Sequence, residues 1–415
     1  MRILNPPNYK ELKKMMQEIK VDRYGIEIMV PKGIIHILRI NSLSCIAANI
    51  LKQEMLSLGG DVAVARGALT GKIKKTDCLL IATLSQFHRL IEKLKEQPFG
   101  LDRLAQDLSG ILANYQKDKF RLDLGKYKLN FNGRVHIMGI VNLTPDSFSG
   151  DGLYQGQGLS PSQLKRTAPK GTVPERVINF IEKMVEDGAD IIDVGGESTR
   201  PGAKPVSLKE ELRRTIPVIK KMTKTIKVPI SIDTSKPQVA KQALDNGAVM
   251  VNDITGLRNP KMAKVVSDYK AGLVIMHMKG NPRTMQNNPV YKSLLDEIID
   301  YLDKAIKQAT DAGVDKNKII IDPGIGFGKT LEHNLEILKN LRELKILGRP
   351  ILIGPSRKSF IGKILNVGPG ERIFGTVSSC VLAVKNGAQM LRVHDVKAVK
   401  QALKVTEAIL KCGSR

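Results

Sequence analysis

The chain has 415 residues, more than the roughly 250–300 at which a single hydrophobic core stops growing, so we expect two domains. Hydrophobic residues make up 42% and charged residues 26%, as in an ordinary globular protein, and no apolar run approaches the roughly 20 residues that span a bilayer. The formal net charge is +25, but the basic residues are spread along the chain without a basic tail or an aromatic-basic platform. This pattern favours small anionic substrates over nucleic acid.

The four cysteines lie far apart and form no CxxC pair, which argues against a zinc site or a disulfide framework. They are Cys45, Cys78, Cys380 and Cys412. The first residues lack the apolar segment of a secretory signal. We therefore expect a protein of the reducing cytoplasm, without membrane association.

Residues 1–130 are predicted to form a small α/β accessory domain with its own core. The predicted order is two strands, a helix, two strands and further helix, at residues 24–30, 34–40, 43–58, 62–65, 77–82 and from 84 onward. Glycine and lysine near residues 61–75 lack the spacing of a phosphate-binding loop, and no catalytic cluster is visible. Residues 117–128 are predicted to be a linker or a short strand pair that floors the next domain.

Residues 131–415 alternate short apolar runs with amphipathic stretches, which is the pattern of βα units in a parallel sheet. The apolar runs are residues 135–141, 190–195, 229–234, 250–254, 273–278, 318–322, 350–354 and 390–394. Helices are predicted between them, for example at 208–225, 294–312 and 398–410. Eight such units predict a (β/α)8 TIM barrel, class α/β, behind the accessory domain.

Polar residues follow the predicted strands, and the active site of such a barrel lies where its strands end. They are Asn142, Asp193, Asp233, Asn252, His277, Asp322, Lys358, Arg392 and His394. A single Asp at a strand end is more often a helix cap than a catalytic group, and we interpret His277 as a structural polar residue. The convergence of eight polar strand ends at one mouth nevertheless indicates a ligand site.

The charges of this mouth indicate which ligand it takes. The Asn and Asp groups after strands 3, 4 and 6 suit a flat, nitrogen-rich heterocycle. Arg200, Arg392 and His394 form a cationic clamp that suits phosphate or diphosphate. Asn142, with the carboxylates of the loop after it, offers oxygen ligands for Mg²⁺. We therefore expect a heterocycle that carries a diphosphate leaving group.

Several motifs together resemble dihydropteroate synthase, a pterin-binding barrel family. They are MGIVNLTPDSFSGDG at 138–152, DIIDVGGESTRPGA at 190–203, SIDTSKP at 231–237, MHMKGNPRTMQ at 276–286, DPGIGFGK at 322–329, SRKS at 356–359 and LRVHDV at 391–396. The resemblance covers residues 134–412. It implies that 4-aminobenzoate is joined to 6-hydroxymethyl-7,8-dihydropterin diphosphate, with release of pyrophosphate, and that barrels pair into a homodimer.

The same resemblance assigns roles to individual residues. The pterin site would be Asp233, Asn252, Met276, Asp322 and Lys358. The diphosphate site would be Asn142, Arg200, Arg392 and His394, with Asn142 also on Mg²⁺. The aminobenzoate site would be Thr199, Pro201, Phe327, Lys358 and Ser359. The family mechanism is SN1-like, and the catalytic set would be Asn142, Arg200, Lys358, Arg392 and His394.

Two features of the sequence depart from the family pattern. Asp151 stands one residue later than the usual Asp of loop 1, which puts its role beside the cation in question. The segment 153–172 is longer than usual, and we predict that it is a mobile excursion.

Three alternatives remain at this point. A pterin-binding methyltransferase barrel would share the Asp and Asn set but would not need the diphosphate clamp of Arg200, Arg392 and His394. A degenerate barrel that acts as a binding or scaffold protein would need neither the Asp and Asn set nor the diphosphate clamp. In a mixed option, the N-terminal domain binds a partner while the barrel catalyses. At the level of single residues, Met276 and Phe327 could be plain apolar packing instead of ligand contacts.

Overall fold

The computed structural model describes residues 8–143, 175–198, 205–282 and 284–412, together with Arg2, Leu4 and Pro6. The chain divides into two compact units. The first is Met1–Ala113 together with Lys411–Arg415, and the second is Asn114–Leu410. This division lies 17 residues before the boundary at 130/131 that we expected from the sequence.

The first unit is a three-stranded antiparallel sheet in the order β1-β3-β2 with helices packed on one face. Its elements are α1 (Tyr9–Glu18), α2 (Arg23–Met29), β1 (Ile35–Ser44), α3 (Cys45–Ser57), β2 (Asp61–Val64), α4 (Arg66–Leu69), β3 (Lys75–Thr83), α5 (Leu84–Leu94) and α6 (Leu101–Gln116), of which α6 continues past Ala113. Alternate residues of β3 are buried, because one face of the strand lies on the helices. The predicted strands at 34–40, 62–65 and 77–82 and the helix at 43–58 are confirmed.

The predicted strand at residues 24–30 is wrong, because this segment is the helix α2. Its alternating apolar residues resemble a strand, but Asp22 caps the helix by accepting hydrogen bonds from the backbone N–H groups of Tyr24 and Gly25. An ion pair between Arg23 and Glu27, one turn apart, adds a small stabilisation. The cap overrides the β preference of the side chains.

Within the described residues, the second unit contains eight parallel strands, and each matches one of the predicted apolar runs. They are β6 (His136–Asn142), β7 (Ile191–Gly195), β8 (Ile230–Asp233), β9 (Met250–Asp253), β10 (Gly272–Met276), β11 (Ile319–Asp322), β12 (Leu352–Ile353) and β13 (Met390–Val393). Their order in the sheet is β11-β10-β9-β8-β7-β6-β13-β12. A parallel bridge between Ile321 and Ile351 joins the two ends of the sheet, so the strands form a (β/α)8 barrel.

Helices cover the outside of the barrel. They are α7 (Glu175–Glu186), α8 (Leu208–Thr225), α9 (Pro237–Asp245), α10 (Lys261–Asp268), α11 (Leu294–Asp311), α12 (Leu331–Lys339), α13 (Ser359–Leu365), α14 (Ile373–Lys385) and α15 (Val396–Lys411). Within the described ranges, no helix is both long and apolar enough to cross a bilayer. All four cysteines are free thiols, and only Cys412 is exposed.

A hairpin closes the bottom of the barrel and explains the shifted unit boundary. Its strands are β4 (Arg121–Leu124) and β5 (Tyr127–Asn130). The buried side chains of Leu122, Leu124 and Leu129 pack on a ring of apolar residues from seven barrel strands. The short strand pair predicted for residues 117–128 therefore exists, and burial of its apolar face makes it part of the barrel unit.

The inward positions of the strands change from apolar to polar along the barrel axis. The apolar ring above the hairpin is Met138, Ile191, Met250, Val274, Ile320, Leu352 and Met390. Side chains two residues further along a strand point to the same face. These next inward positions include Asp193, Asn252, Met276, Asp322 and Arg392, so the strand period alone delivers the site residues to the carboxyl-end mouth.

Candidate active site

One row of paired residues crosses the mouth of the barrel. Asn142 is in register with Gly195, Gly195 with Asp233, and Asp233 with Asn252. A side chain at Gly195 would lie 3.5 Å from Asn142 Oδ1 and 3.6 Å from Asp233 Oδ2. The missing side chain of Gly195 thus leaves room between two oxygen-bearing groups.

Arg392 links two buried carboxylates across the barrel. Its Nε donates to Asp193 Oδ2 at 2.7 Å, and its Nη2 donates to Asp233 Oδ2 at 2.6 Å. Burial alone would lower the pKa of Arg392, but the negative charges of Asp193 and Asp233 outweigh it and raise that pKa. Nη1 takes part in neither of these two pairs.

The carboxyl group of Asp233 has a raised pKa in this cluster. Burial raises its pKa to about 7, against the opposing charge of Arg392 and with the help of Asp193 and Glu211. Its Oδ1 is buried and has no hydrogen-bond partner among the described residues, as is also true of Asp193 Oδ1 and Ser231 Oγ. Buried oxygens of this kind mark a surface that is complementary to hydrogen-bond donors.

Asn252 and Asp322 each have one polar atom committed to the protein. Asn252 Nδ2 donates to Asp193 Oδ2 at 2.9 Å. The backbone N–H of Gly324 donates to Asp322 Oδ1 at 2.7 Å. Burial raises the pKa of Asp322 to about 6, although the Gly324 N–H and the charge of Lys358 oppose this. These contacts hold both side chains and leave Oδ1 of Asn252 and Oδ2 of Asp322 available to a ligand.

An apolar shelf lies beside these polar groups. It consists of the buried side chains of Ile254, Met276, Met278, Met285 and Phe327 and is separate from the main barrel core. Met276 pairs in register with Asp322, so the shelf begins next to that carboxylate.

Lys358 lies above the ring of Phe327, with Nζ 4.2 Å from the ring centroid, a favourable cation–π contact. Met276 and Phe327 are both buried in the apolar shelf, and the shelf borders the mouth.

The glycine-rich loop after β11 fits too closely for side chains at two positions. A Cβ at Gly324 would lie 2.0 Å from the carbonyl oxygen of His277, and one at Gly328 would lie 2.3 Å from that of Lys279. Both glycines also have positive φ. The loop is thereby pressed onto the end of β10, which sets the position of Phe327.

A buried lysine ties the same loop to β10. Lys329 Nζ lies 2.9 Å from His277 Nδ1 and 3.0 Å from the carbonyl oxygen of Phe327. Burial lowers the pKa of Lys329 to about 7. Burial and the nearby positive charge of Lys329 lower the pKa of His277 to about 2, so the neutral imidazole accepts the hydrogen bond.

The remaining predicted residues lie around the edge of this cluster. His394 follows two residues after Arg392, and its Nδ1 lies 3.1 Å from Ser356 Oγ, which also accepts from the His394 backbone N–H. Ser359 is exposed at the first position of α13, directly after Lys358.

The comparison with known proteins identifies the family. The family model described as pterin binding enzyme matches residues 138–394. A dihydropteroate synthase from Synechocystis sp. is 46% identical over 290 residues, which are 69% of this chain and 94% of that protein. The chain belongs to the dihydropteroate synthase family. It is therefore an enzyme, a transferase of folate synthesis.

Solved structures of dihydropteroate synthases agree with this assignment. The enzyme from Xanthomonas albilineans with 4-aminobenzoic acid matches with a TM-score of 0.62 and 40% identity, and the match covers 70% of this chain and 98% of that chain. The same enzyme in complex with 7,8-dihydropteroate matches with a TM-score of 0.59 and 37% identity over the same shares. Small-molecule substrates thus suit the fold and the family.

Several residues that the dihydropteroate synthase motifs single out lie outside the described residues. These are Thr199, Arg200 and Pro201 of loop 2, Asp151 of loop 1, and the segment 153–172. Their predicted roles in binding the diphosphate, the cation and the aminobenzoate stay predictions. The predicted mobility of residues 153–172 stays a prediction too.

The donor set near Gly195 fits a hard cation in part. Among the residues that the structure describes, no group of three or more His, Cys, Asp or Glu side chains could hold a metal. Asn142 Oδ1 and Asp233 Oδ2 both border the space above Gly195, but Asp233 Oδ2 already accepts a hydrogen bond from Arg392. Mg²⁺ takes oxygen ligands and completes its shell with water and substrate phosphates, so Asn142 Oδ1 is the described oxygen of this space that would suit it.

Two residues of the dihydropteroate synthase mouth have a larger part than their sequence context showed. Asp193 accepts hydrogen bonds from both Asn252 and Arg392, yet it received no role from the sequence. Its signal was an acidic residue inside the otherwise apolar run 191–195. Lys329 is the last residue of the motif DPGIGFGK, but only the folded structure shows that it is buried against His277.

Proposed function

We propose that this chain condenses 6-hydroxymethyl-7,8-dihydropterin diphosphate with 4-aminobenzoate in the cytoplasm, giving 7,8-dihydropteroate and pyrophosphate. The observation that carries the proposal is the arrangement of Asp322, Asn252 and the Asp193–Arg392–Asp233 cluster at one barrel mouth. It offers carboxylates for a heterocycle and a guanidinium for its leaving group. Relatives solved with 4-aminobenzoic acid and with 7,8-dihydropteroate support this substrate pair.

The pterin would bind against Asp322, Asn252 and Met276. Asp322 has Oδ1 held by Gly324, so Oδ2 can accept from the amidine-like edge of the ring. Asn252 donates to Asp193 through Nδ2, so its Oδ1 can accept from the ring as well. Met276 and the rest of the apolar shelf would cover one face of the ring and exclude water.

The diphosphate would lie on the cationic side of the mouth. Arg392 presents Nη1, and His394, oriented by Ser356, lies two residues further along the same strand end. Asn142 would contact the diphosphate and hold Mg²⁺ through Oδ1, with Arg200 as a further cation of the clamp. Mg²⁺, when bound, supplies positive charge to the diphosphate oxygens.

Bond breaking would precede bond making. The C–O bond to the diphosphate breaks, and its electron pair leaves with the diphosphate towards Arg392 and His394. The positive charge that develops on the pterin methylene spreads into the ring, where the Asp322 carboxylate stabilises it. The neutral amine nitrogen of 4-aminobenzoate then forms the C–N bond and loses its proton to solvent. This route needs no strong general base.

Aminobenzoate would bind beside the pair formed by the Phe327 ring and Lys358. The Nζ of Lys358 over this ring is a cation beside an apolar face, which matches a carboxylate on an aromatic ring. Ser359 at the exposed start of α13, with Thr199 and Pro201, would line the outer part of this subsite.

The test is turnover by purified protein given dihydropterin diphosphate and Mg²⁺, with and without 4-aminobenzoate. Pyrophosphate release coupled to dihydropteroate formation supports the proposal, provided that Arg392→Ala loses it and the surface control Lys220→Gln keeps it. A folded wild-type protein that forms no dihydropteroate would refute it. Omission of Mg²⁺ tests the cation separately.

We also propose that the enzyme is a homodimer through the last helices of its barrel. Large apolar side chains are exposed there, with Phe374 of α14 82% exposed and Val405 and Ile409 of α15 62% and 68% exposed. Exposed apolar surface of this kind is typical of a protein interface. A second copy of the chain would cover it.

A further inference from the structure

A cavity lies at the bottom of the barrel unit, at the strand end opposite to the mouth. Its volume is about 410 Å³, and it is formed by the start of β4 with the segment before it, the turn before β11 and the segment before β12. The lining contains six basic side chains: Lys117, Lys119, Arg121, Lys316, Lys318 and Arg349. Only two acidic side chains, Asp123 and Asp315, share it, so the cavity carries an excess of four positive charges.

The two carboxylates are already engaged by backbone groups. Asp123 Oδ1 accepts from the N–H of Gly125, and Asp315 Oδ1 accepts from the N–H of Asn317. Throughout the part of the chain that the structure describes, none of the six basic residues forms a salt bridge within 4.0 Å. The four excess positive charges of the cavity are therefore not balanced by an ion pair.

Two of the basic groups are also partly withdrawn from water. Arg349 Nε is buried and has no hydrogen-bond partner among the described residues. Burial lowers the pKa of Arg349, with the charge of Asp315 opposing it. Burial and the positive charges of Arg349 and Lys316 lower the pKa of Lys117. Like charges held together away from water are costly unless an anion joins them.

We propose that this cavity is a binding site for a small polyanion that carries a di- or triphosphate group, distinct from the substrate site at the mouth. The guanidinium of Arg349 suits the paired oxygens of a phosphate, and the surrounding lysines suit further charge. Phe120 and Pro350 add apolar surface on the cavity wall, which an organic phosphate would use and an inorganic polyphosphate would not. The site does not depend on the reaction proposed for the mouth.

The experiment is titration calorimetry of the full chain with sodium tripolyphosphate and, separately, with ATP, in EDTA at low ionic strength. Wild-type protein should bind tripolyphosphate at this site, and Lys117→Gln with Arg349→Gln should weaken that binding by at least about tenfold. The mouth is unchanged in the double variant, so any tripolyphosphate that binds at the mouth contributes equally to both titrations. Tighter binding of ATP would identify an organic phosphate, and equal or weaker binding would identify an inorganic one.

The controls separate a built site from diffuse charge. Lys220→Gln with Lys221→Gln removes two exposed charges elsewhere and should leave the affinity unchanged. Lys119→Gln with Lys316→Gln removes exposed charges of the cavity and keeps the test open if the first pair folds poorly. The proposal is overturned if the cavity variants bind like wild type, or if the control pair weakens binding equally.

Discussion

Arg392 on the last strand of the barrel donates from Nη2 to the carboxylate of Asp233 on the third strand, at 2.6 Å. The same guanidinium bonds Asp193 through Nε, so one cation holds two buried carboxylates in place. An ion cluster of this kind contributes little net stability, but removal of its centre is costly because two charges lose their partner. Its position at the mouth indicates that the chain retains it for function.

Arg392→Ala should therefore impair both stability and turnover. We expect a loss of about 3–5 kcal/mol in the free energy of unfolding, because Asp193 and Asp233 become unpaired. We expect kcat/KM to fall by about 10²–10³-fold, since a donor to the leaving group is lost. Denaturant unfolding and steady-state kinetics measure the two effects.

A second variant distinguishes the two effects. Arg392→Gln combined with Asp193→Asn removes one of the unpaired charges and should recover part of the stability without recovering turnover. Recovery of both would contradict a role of Arg392 at the diphosphate.

Asp322→Asn should stabilise the protein in a pH-dependent way while it weakens pterin binding. The folded-state pKa of Asp322 is raised to about 6, so its ionisation is penalised by folding. The penalty grows as the pH rises from about 4 to 6 and stays constant above that. The variant should melt higher than wild type at pH 8 and equally at pH 3.5.

The Asn side chain keeps the oxygen that accepts from Gly324, so the loop should stay in place. Pterin affinity should fall at pH 8, where wild-type Asp322 is ionised, and differ less below pH 6. Calorimetry with a pterin and thermal melts across pH check both parts. An equal stability change at both pH values would show that the carboxyl group titrates normally.

Gly324→Ala should destabilise the barrel by at least about 2–3 kcal/mol and abolish turnover. The new Cβ would lie 2.0 Å from the carbonyl oxygen of His277, at a backbone φ of +72° that side chains rarely adopt. Gly370→Ala is the matched control, because no heavy atom of the described residues lies within 4 Å of its Cβ. Thermal melting and turnover of the two variants should differ sharply, and equal tolerance would contradict the close fit of this loop.

Phe374→Glu should convert the enzyme to a monomer. The side chain is 82% exposed on α14, and a carboxylate in an apolar interface would be buried without a partner. Light scattering after size exclusion measures the mass, and Ile46→Glu, another exposed apolar position at 58%, is the control. A wild-type chain that is already monomeric at micromolar concentration would refute the homodimer.

The sequence determined the barrel and most residues of its mouth. The eight apolar runs are short and separated by amphipathic helices, and each is a strand in the structure, because local periodicity and turn glycines agree with the final packing. The strand period also places Asn252, Asp322 and Arg392 two residues beyond the apolar ring of the barrel floor. The error at 24–30 arose where a single helix cap at Asp22 outweighed side-chain preference.

Only the tertiary structure decided which polar groups form ion pairs and which are buried. Asp193 received no role from its place in an apolar run, yet the closed barrel brings it to Arg392, which is 199 residues away in sequence. Lys329 has its pKa lowered to about 7 only because folding buries it beside His277. The cavity around Arg349 likewise combines three distant segments. Burial and long-range charge pairing depend on the whole fold, whereas strand and helix period depend on neighbouring residues.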